Sequence, residues 1–255
     1  MAHAAQAKIS GFSANVMRFL ESIEYRRIES ADDLEDIARL RYKAFTTVGL
    51  ARENRDSLLI DELDFKPNAH VMGIFFDEQL VSTIRVHHVT AAHRDGVAVA
   101  QFPDVMHPLL DAGKTFIDPV RFAADPEIMR EYPALPYLTL RVATMATVYF
   151  DVDFCLSVTK PNHRAFYKRV FQSIELAGPR YVEQYQNHLE LQGANAHELK
   201  RTLFERYPFF QSQPHERKLM FAPREELGLP PLTIRPTAKY AVERARGAMR
   251  LPELL

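Results

Sequence analysis

At 255 residues, 47% hydrophobic and 25% charged, the chain has the size and composition to bury one large domain, or a domain with appendages. Its net charge of −1 gives no global attraction to nucleic acid, which is excluded as a partner. The lone Cys155 cannot form an internal disulfide, which fits a reducing, cytoplasmic setting, and no run is long enough to span a bilayer. In its apolar strand Cys155 reads as a buried structural thiol rather than a nucleophile.

After a loose first stretch, Phe12, Val16, Phe19, Leu20 and Ile23 recur at helical spacing. Residues 1–24 are read as an N-terminal amphipathic helix on the flank of the domain, with a lid over a hydrophobic channel or a membrane-surface helix as alternatives. Tyr25–Glu29 reads as a short strand. Ser30 caps a helix to about Thr47, with Asp32 and Asp33 favourably placed in its first turn. Leu34, Ile37, Ala38 and Phe45 share one face of that helix with Arg41 in their midst, while Arg39 points away. A buried guanidinium stripped of its partner costs on the order of 3–5 kcal/mol, so Arg41 calls for a carboxylate unless it snorkels at the helix end. The dense acidic segment Asp61-Glu62-Leu63-Asp64 is the nearest source.

Val71–Phe76 and Leu80–Val89 form a hairpin around Asp77-Glu78-Gln79. Its second strand carries Arg85 on a face with Val81, Thr83 and Val89, a second guanidinium in need of an acid. His87, His88 and His93 do not make a metal site, because adjacent strand residues face opposite ways and no ligand spacing recurs. Residues 91–104 read as a loop and Val105–Ala112 as a short helix.

The centre of the chain is a strand (Thr115–Phe122), a helix (Leu138–Phe150), a strand (Asp153–Thr159) and a second helix opening after Pro161. This alternation requires a parallel strand pair joined by a crossover. Asp118 and Arg121 would point to opposite faces of a regular strand. Pro119 between them signals a bulge, which would place both on one face and part the two parallel strands into a slot for an extended ligand. Further on, Arg180–Leu191 alternates as one long strand, Asn195 with Glu198 opens a helix to Tyr207, and Glu216–Phe221 reads as a last strand. Residues 222–255 read as a Pro-rich linker and a basic helix, Thr237–Arg250.

With these residues in view, residues 25–221 resemble the acyltransferases built on the GCN5-related N-acetyltransferase (GNAT) fold. Within that group they are most similar to the N-acyl amino acid synthases of the FeeM type and the related acyl-homoserine-lactone autoinducer synthases. Three pieces carry the likeness. They are Arg41 and Phe45 with the acidic loop and Arg85, the strand Asp118-Pro119-Val120-Arg121-Phe122, and Pro161-Asn162-His163-Arg164-Ala165-Phe166-Tyr167. The resemblance implies an α/β (α+β) three-layer sandwich whose mixed central sheet contains a bulged, splayed strand pair between flanking helices. The chain departs from most acetyltransferases of this fold in lacking the Gly-rich loop whose amides cradle the diphosphate of coenzyme A. Asp125 to Pro136 holds no Gly and three Pro, and proline lacks the needed donor. The family's Gly-Phe is replaced by Phe171-Gln172-Ser173.

The resemblance further implies transfer of a fatty acyl group from an acyl carrier protein thioester to the α-amine of an amino acid or related amine, with no tightly bound cofactor and no metal. Acyl-CoA is the less favoured donor. Asp118 is the first candidate base and Asp64 the second; Tyr167 would protonate the departing thiolate unless it is only a core aromatic. Arg41, Asp61, Glu62, Arg85, Arg121, Phe122, Thr159 and His163 would meet substrate. Lys160, Arg164, Lys168 and Arg169 form a basic cluster that would dock the acidic carrier, or be a solvated helix face. An autoinducer-type synthase, a CoA-dependent acetyltransferase, or a non-catalytic sensor of acyl chains or carrier protein are the competing readings.

Overall fold

The computed structural model describes residues 10–228 and 233–245. Ser10 opens α1 (Gly11–Leu20) by accepting the Ser13 amide. Strand β1 (Ile23–Arg27) leads to α2 (Ala31–Thr47), capped as the sequence predicts by Ser30. Strands β2 (Ala69–Phe76) and β3 (Gln79–Val89) form the expected hairpin. Its two turn residues, Asp77 and Glu78, both have positive φ (47° and 64°), the geometry whose twist suits a two-residue hairpin. Two helices follow, α3 (Val97–Gln101) and α4 (Pro103–Asp111), so the predicted loop carries a helix after all. One turn of Val97, Ala98 and Val99, all buried, is too short to show a helical period in sequence.

The centre runs β4 (Phe116–Ala124), α5 (Pro126–Glu131), α6 (Leu135–Tyr149), β5 (Phe154–Thr159) and α7 (Arg164–Phe171). Next come β6 (Ile174–Val182), β7 (Asn187–Asn195) and α8 (Ala196–Arg206), whose cap Asn195 accepts the Glu198 amide. The single strand expected over Arg180–Leu191 is therefore a hairpin. A 3-10 turn at Glu183–Tyr185, ending in Gln186 at φ 47°, reverses the chain inside a run whose alternation happens to continue. The last predicted strand is corrected to a helix, α9 (Pro214–Phe221). Pro214 starts it, and helical pitch brings Glu216 and Met220, four apart, to the same buried side. Then follow α10 (Arg224–Leu227), β8 (Thr233–Ile234) and α11 (Ala238–Ala245). The remainder of the predicted basic helix, Pro230-Pro231 and the first nine residues lie outside the described residues.

The described strands make one mixed sheet in the order β6-β7-β5-β4-β3-β2-β1-β8. Only β4 and β5 are parallel neighbours. On one face α6, α8 and α9 pack a large core around Ile84, Val86, Ile117, Met145 and Phe209, to which α1 contributes Val16 and Leu20. On the other face α3 and α4 cover a smaller core of Val89, Phe102, Met106, Phe116 and Leu191, and α2 lies beside it over β3 and β4. One layer of helices on each side of the sheet completes the three-layer sandwich that the sequence leads one to expect. Two irregularities in β4 position everything that follows. Thr83 pairs with Ala123 but Arg85 pairs with Val120, so Ile84 alone opposes Arg121 and Phe122, which is a bulge. The parallel ladder with β5 holds only at Phe116–Phe154 and Ile117–Cys155 and then ends, while β5 stays paired to β7 as far as Thr159. The strands part where the sequence predicted.

Candidate active site

Arg41 on α2 and Arg85 on β3 are fully buried and converge on one oxygen of Asp64, at 2.8 and 2.9 Å. Asp64 stands on a 3-10 turn, Glu62–Phe65, which is closed by a capping box between Asp61 and Asp64. Asp61 takes Arg85 at 2.6 Å on one oxygen and Arg121 Nε at 3.1 Å on the other. Both guanidiniums that the sequence marked as needing an acid thus find it in the acidic loop. Burial works to raise the Asp61 carboxyl, but Arg85 and Arg121 outweigh it and hold it at about 2. Burial pulls Arg41 down to about 10 against the attraction of Asp64. Three guanidiniums face two carboxylates here, so the cluster carries an excess positive charge in a low-dielectric setting.

Arg121 is the bulge residue and has φ 53°, a left-handed conformation that costs a non-glycine residue of order 1–3 kcal/mol. It is held there by Asp61 and by the rings of Phe45 and Tyr185, whose centroids lie 5.7 and 5.9 Å from the guanidinium carbon. The bulge does place Asp118 and Arg121 on the same face of the sheet. They do not pair, however: Arg121 goes to Asp61, and Asp118 accepts the Ala98 amide at 2.9 Å at the start of α3. Burial pushes Asp118 up to about 6, against the lowering influence of that amide and of Arg85. Gly96 is required beside it, since a Cβ there would come within 2.9 Å of Asp118 Oδ2.

The parted strands open into a cleft of about 310 Å³. Pro119, Val120, Arg121 and Phe122 form its β4 side, Val158 and Thr159 its β5 side, and Lys160, Asn162, His163 and Tyr167 its far end. Phe45, Leu50, Val97 and Leu189 make the rest largely apolar. A second cavity of about 570 Å³ adjoins it, lined by the loop Gly49 to Arg52 and the turn Glu183 to Gln186, and shares Leu50, Arg121 and Tyr185 with the cleft. Burial raises Tyr167 to about 12, so it stays a hydroxyl donor at neutral pH, and its oxygen has no hydrogen-bond partner among the described residues. Tyr167 also borders a small pocket between β5, α6 and α7, beside Cys155 and Ser157.

The structure therefore gathers Arg121, Phe122, Thr159, His163 and Tyr167 around one cleft, with Lys160 at its rim. Arg41, Arg85, Asp61 and Asp64 form the ion cluster behind Arg121, and neither Arg41 nor Asp64 has any exposed side-chain surface. Asp118 is buried behind Val97, while Glu62 is exposed on its turn, away from these walls. Of the basic cluster, Lys168 and Arg169 are exposed without a carboxylate partner among the described residues, whereas Arg164 pairs with Glu190 and Glu175. Sequence reasoning missed Tyr185, Leu50 and Val97. Tyr185 was hidden by the false strand, and Val97 by the short helix. It also set His87 aside with the metal question, although its place two residues from Arg85 puts it on the ion-cluster face.

A splayed parallel pair, a bulge bearing an arginine, and a tyrosine opening onto the gap define an acyltransferase of the GNAT-like fold. The chain belongs to the N-acyl amino acid synthase FeeM family, whose model matches residues 36–195. Among solved structures it is similar to FeeM, an N-acyl amino acid synthase from uncultured soil microbes, at 15% identity over 72% of this chain and 96% of that one (TM-score 0.60). It is also similar to the acyl-homoserine-lactone synthase LasI, at 15% identity over 68% of this chain and 89% of that one (0.52). The CoA-dependent acyl-homoserine-lactone synthase BjaI matches at 14% identity over 72% and 89% (0.53). No curated protein sequence matches the chain significantly.

Proposed function

We propose that this N-acyltransferase moves a fatty acyl group from the phosphopantetheine thioester of an acyl carrier protein to the α-amine of an amino acid or related amine. The observation that carries the reading is the pair of cavities meeting at Arg121: an apolar cleft between parted strands and a more polar chamber beside it. The thioester arm would lie in the cleft, where each buried methylene of an acyl chain contributes about 0.8 kcal/mol. The acceptor would come from the polar side, its carboxylate drawn by the excess charge of the guanidinium cluster through Arg121. Its α-ammonium has a pKa near ~8 and must lose a proton before attack, with Asp118, buried next to the cleft-lining Pro119, as the base that takes it through water. The amine nitrogen then bonds the thioester carbon, the C–S bond breaks, Tyr167 donates to the sulfur that departs, and the proton the nitrogen sheds on becoming an amide restores the Tyr167 hydroxyl.

The carrier-bound donor is supported by the chain after β4. Asp125 accepts the amides of Glu127 (2.9 Å) and Ile128 (3.2 Å) and pairs with Lys43 at 2.8 Å. A carboxylate of this chain thus occupies the amides that open α5, and Pro126, Pro133 and Pro136 have none to offer, so no diphosphate cradle remains there. Exposed Lys168 and Arg169, on the helix whose Tyr167 lines the cleft, would supply positive charge for an acidic carrier. With matched acyl groups, kcat/KM for the carrier thioester should exceed that for the CoA thioester by about 100-fold and fall as salt is raised. Lys168→Glu combined with Arg169→Glu should raise KM for the carrier by roughly tenfold. Equal use of the CoA thioester, or a carrier KM indifferent to both substitutions, would overturn the donor assignment.

A further inference from the structure

Four polar atoms of sheet residues on the ion-cluster face are buried without a hydrogen-bond partner among the described residues: Arg85 Nε and Nη2, His87 Nδ1 and Asp118 Oδ1. All three side chains are fully buried. His87 and Asp118 are directly opposite on β3 and β4, and Arg85 is the next residue of β3 on the same face. Side chains so placed meet one another.

Their hydrogen-bonding roles are fixed by chemistry. Arg85 Nε only donates, and an ionised Asp118 only accepts. His87 Nε2 lies 3.1 Å from the Leu63 carbonyl, an acceptor, so Nε2 carries the hydrogen and Nδ1 is a bare acceptor. Burial lowers His87 to about 4, which keeps the ring neutral. Two acceptors cannot satisfy each other, so His87 and Asp118 need something between them that donates twice. One water does this while accepting from Arg85, and buried water typically makes about three such bonds.

We propose that His87 is a positioning residue, which through one enclosed water shared with Arg85 holds the Asp118 carboxylate in its ionised, base-competent form. The inference rests on the reading of Asp118 as the base. The other groups around Asp118 do not replace this water. Asp61 and Asp64 are engaged with Arg85, and Arg41 is held on Asp64 through Nη1, its Nε and Nη2 being themselves without a partner among the described residues. From β5, Cys155 is held up at about 12 by burial, and burial also raises Tyr185 from the turn after β6. Helix α3 offers amides alone, already used on Oδ2.

The test is the pH profile of kcat/KM. Loss of the water would disfavour the carboxylate, so His87→Leu should move the acidic limb upward by about one unit, which lowers kcat/KM by about twofold at neutral pH and by about tenfold well below the limb. His87→Asn, whose side-chain oxygen can accept where Nδ1 does, should bring the limb back. An unmoved limb in His87→Leu, or a limb in His87→Asn as displaced as that of His87→Leu, overturns the proposal. Independently of how the variants fold, a crystal structure that resolves enclosed waters should show one within reach of both His87 Nδ1 and Asp118 Oδ1, and an empty space there overturns it too. Asp118→Asn separates the two readings. Retained turnover would remove the base assignment and this inference with it; lost turnover beside an unmoved His87→Leu limb would remove this inference alone.

Discussion

Asp118→Asn is expected to lower turnover by about 10²–10⁴-fold, the usual contribution of a general base, while making the protein more stable above pH 6. Asn can still accept the Ala98 amide, so the wall at Val97 should survive. The stability gain follows from linkage. Native Asp118 titrates at about 6, above its unfolded value of 3.8. Between those values the native state holds a proton that the unfolded state has released, so wild-type stability falls as pH rises from about 4 to 6 and remains lower above that. The upward shift of roughly two units corresponds to about 3 kcal/mol, or about 6–12 °C in Tm for a chain of this size. Asp61 acts in the opposite sense at lower pH: its native value of about 2 gives stability present above 3.8 and lost as pH falls through about 2. The two windows are therefore separable in a series of thermal melts. Wild-type turnover in Asp118→Asn, or a Tm at pH 7.5 well below wild type, would refute the assignment.

Asp64→Ala is expected to destabilise the fold by about 3–5 kcal/mol, because it leaves Arg41 and Arg85 buried against one another with a carboxylate missing. Arg85 would keep Asp61 at 2.6 Å, but Arg41 would keep no carboxylate within reach among the described residues. Asp64→Asn should lose nearly as much, since it restores an acceptor but not the charge. Replacing the pair together, as Arg41→Met with Asp64→Leu, should recover most of the loss, because well-packed apolar residues match buried ion pairs in stability. Asp61 keeps 24% of its side-chain surface exposed, so Asp61→Ala should cost less stability while freeing Arg121 from its anchor and lowering activity. Urea unfolding of the four variants measures the order directly. Near-wild-type stability of Asp64→Ala would show that the cluster does not hold the loop.

What could be read before coordinates followed from periodicity and from charge that had to be neutralised. The β4-α6-β5-α7 unit was legible because its apolar runs are long and its period changes cleanly. Pro119 pointed to an irregular strand, although it keeps its register opposite Val86 and the bulge falls two residues on, at Arg121 and Phe122. Arg41 could be matched to the acidic loop because a helix face and a carboxylate cluster posed one problem with one local solution. Partner choice at longer range was not legible. Nothing in the spacing of Asp118 and Arg121 says that each turns to a different neighbour, Ala98 for one and Asp61 for the other. Nor could the turn at Gln186 be foreseen, since a left-handed glutamine has no local signature and the alternation runs straight through it. Helix α9 was hidden for another reason: one of its inward residues is a glutamate, apolar in no scale, buried against Arg141, which lies 2.6 Å away on α6.

A chain cut after Leu227 would lose only two residues of sheet, yet those two are the hem of the garment. Thr233 and Ile234 cover Arg26 and Tyr25, and without them β1 becomes a raw margin with open amides and carbonyls beside Ile23. Glu216 would lose the Thr237 amide at 3.0 Å in the same stroke. Bare strands of this kind recruit other chains. A shortened version ending at Leu227 should therefore come out as aggregate rather than as a smaller working enzyme.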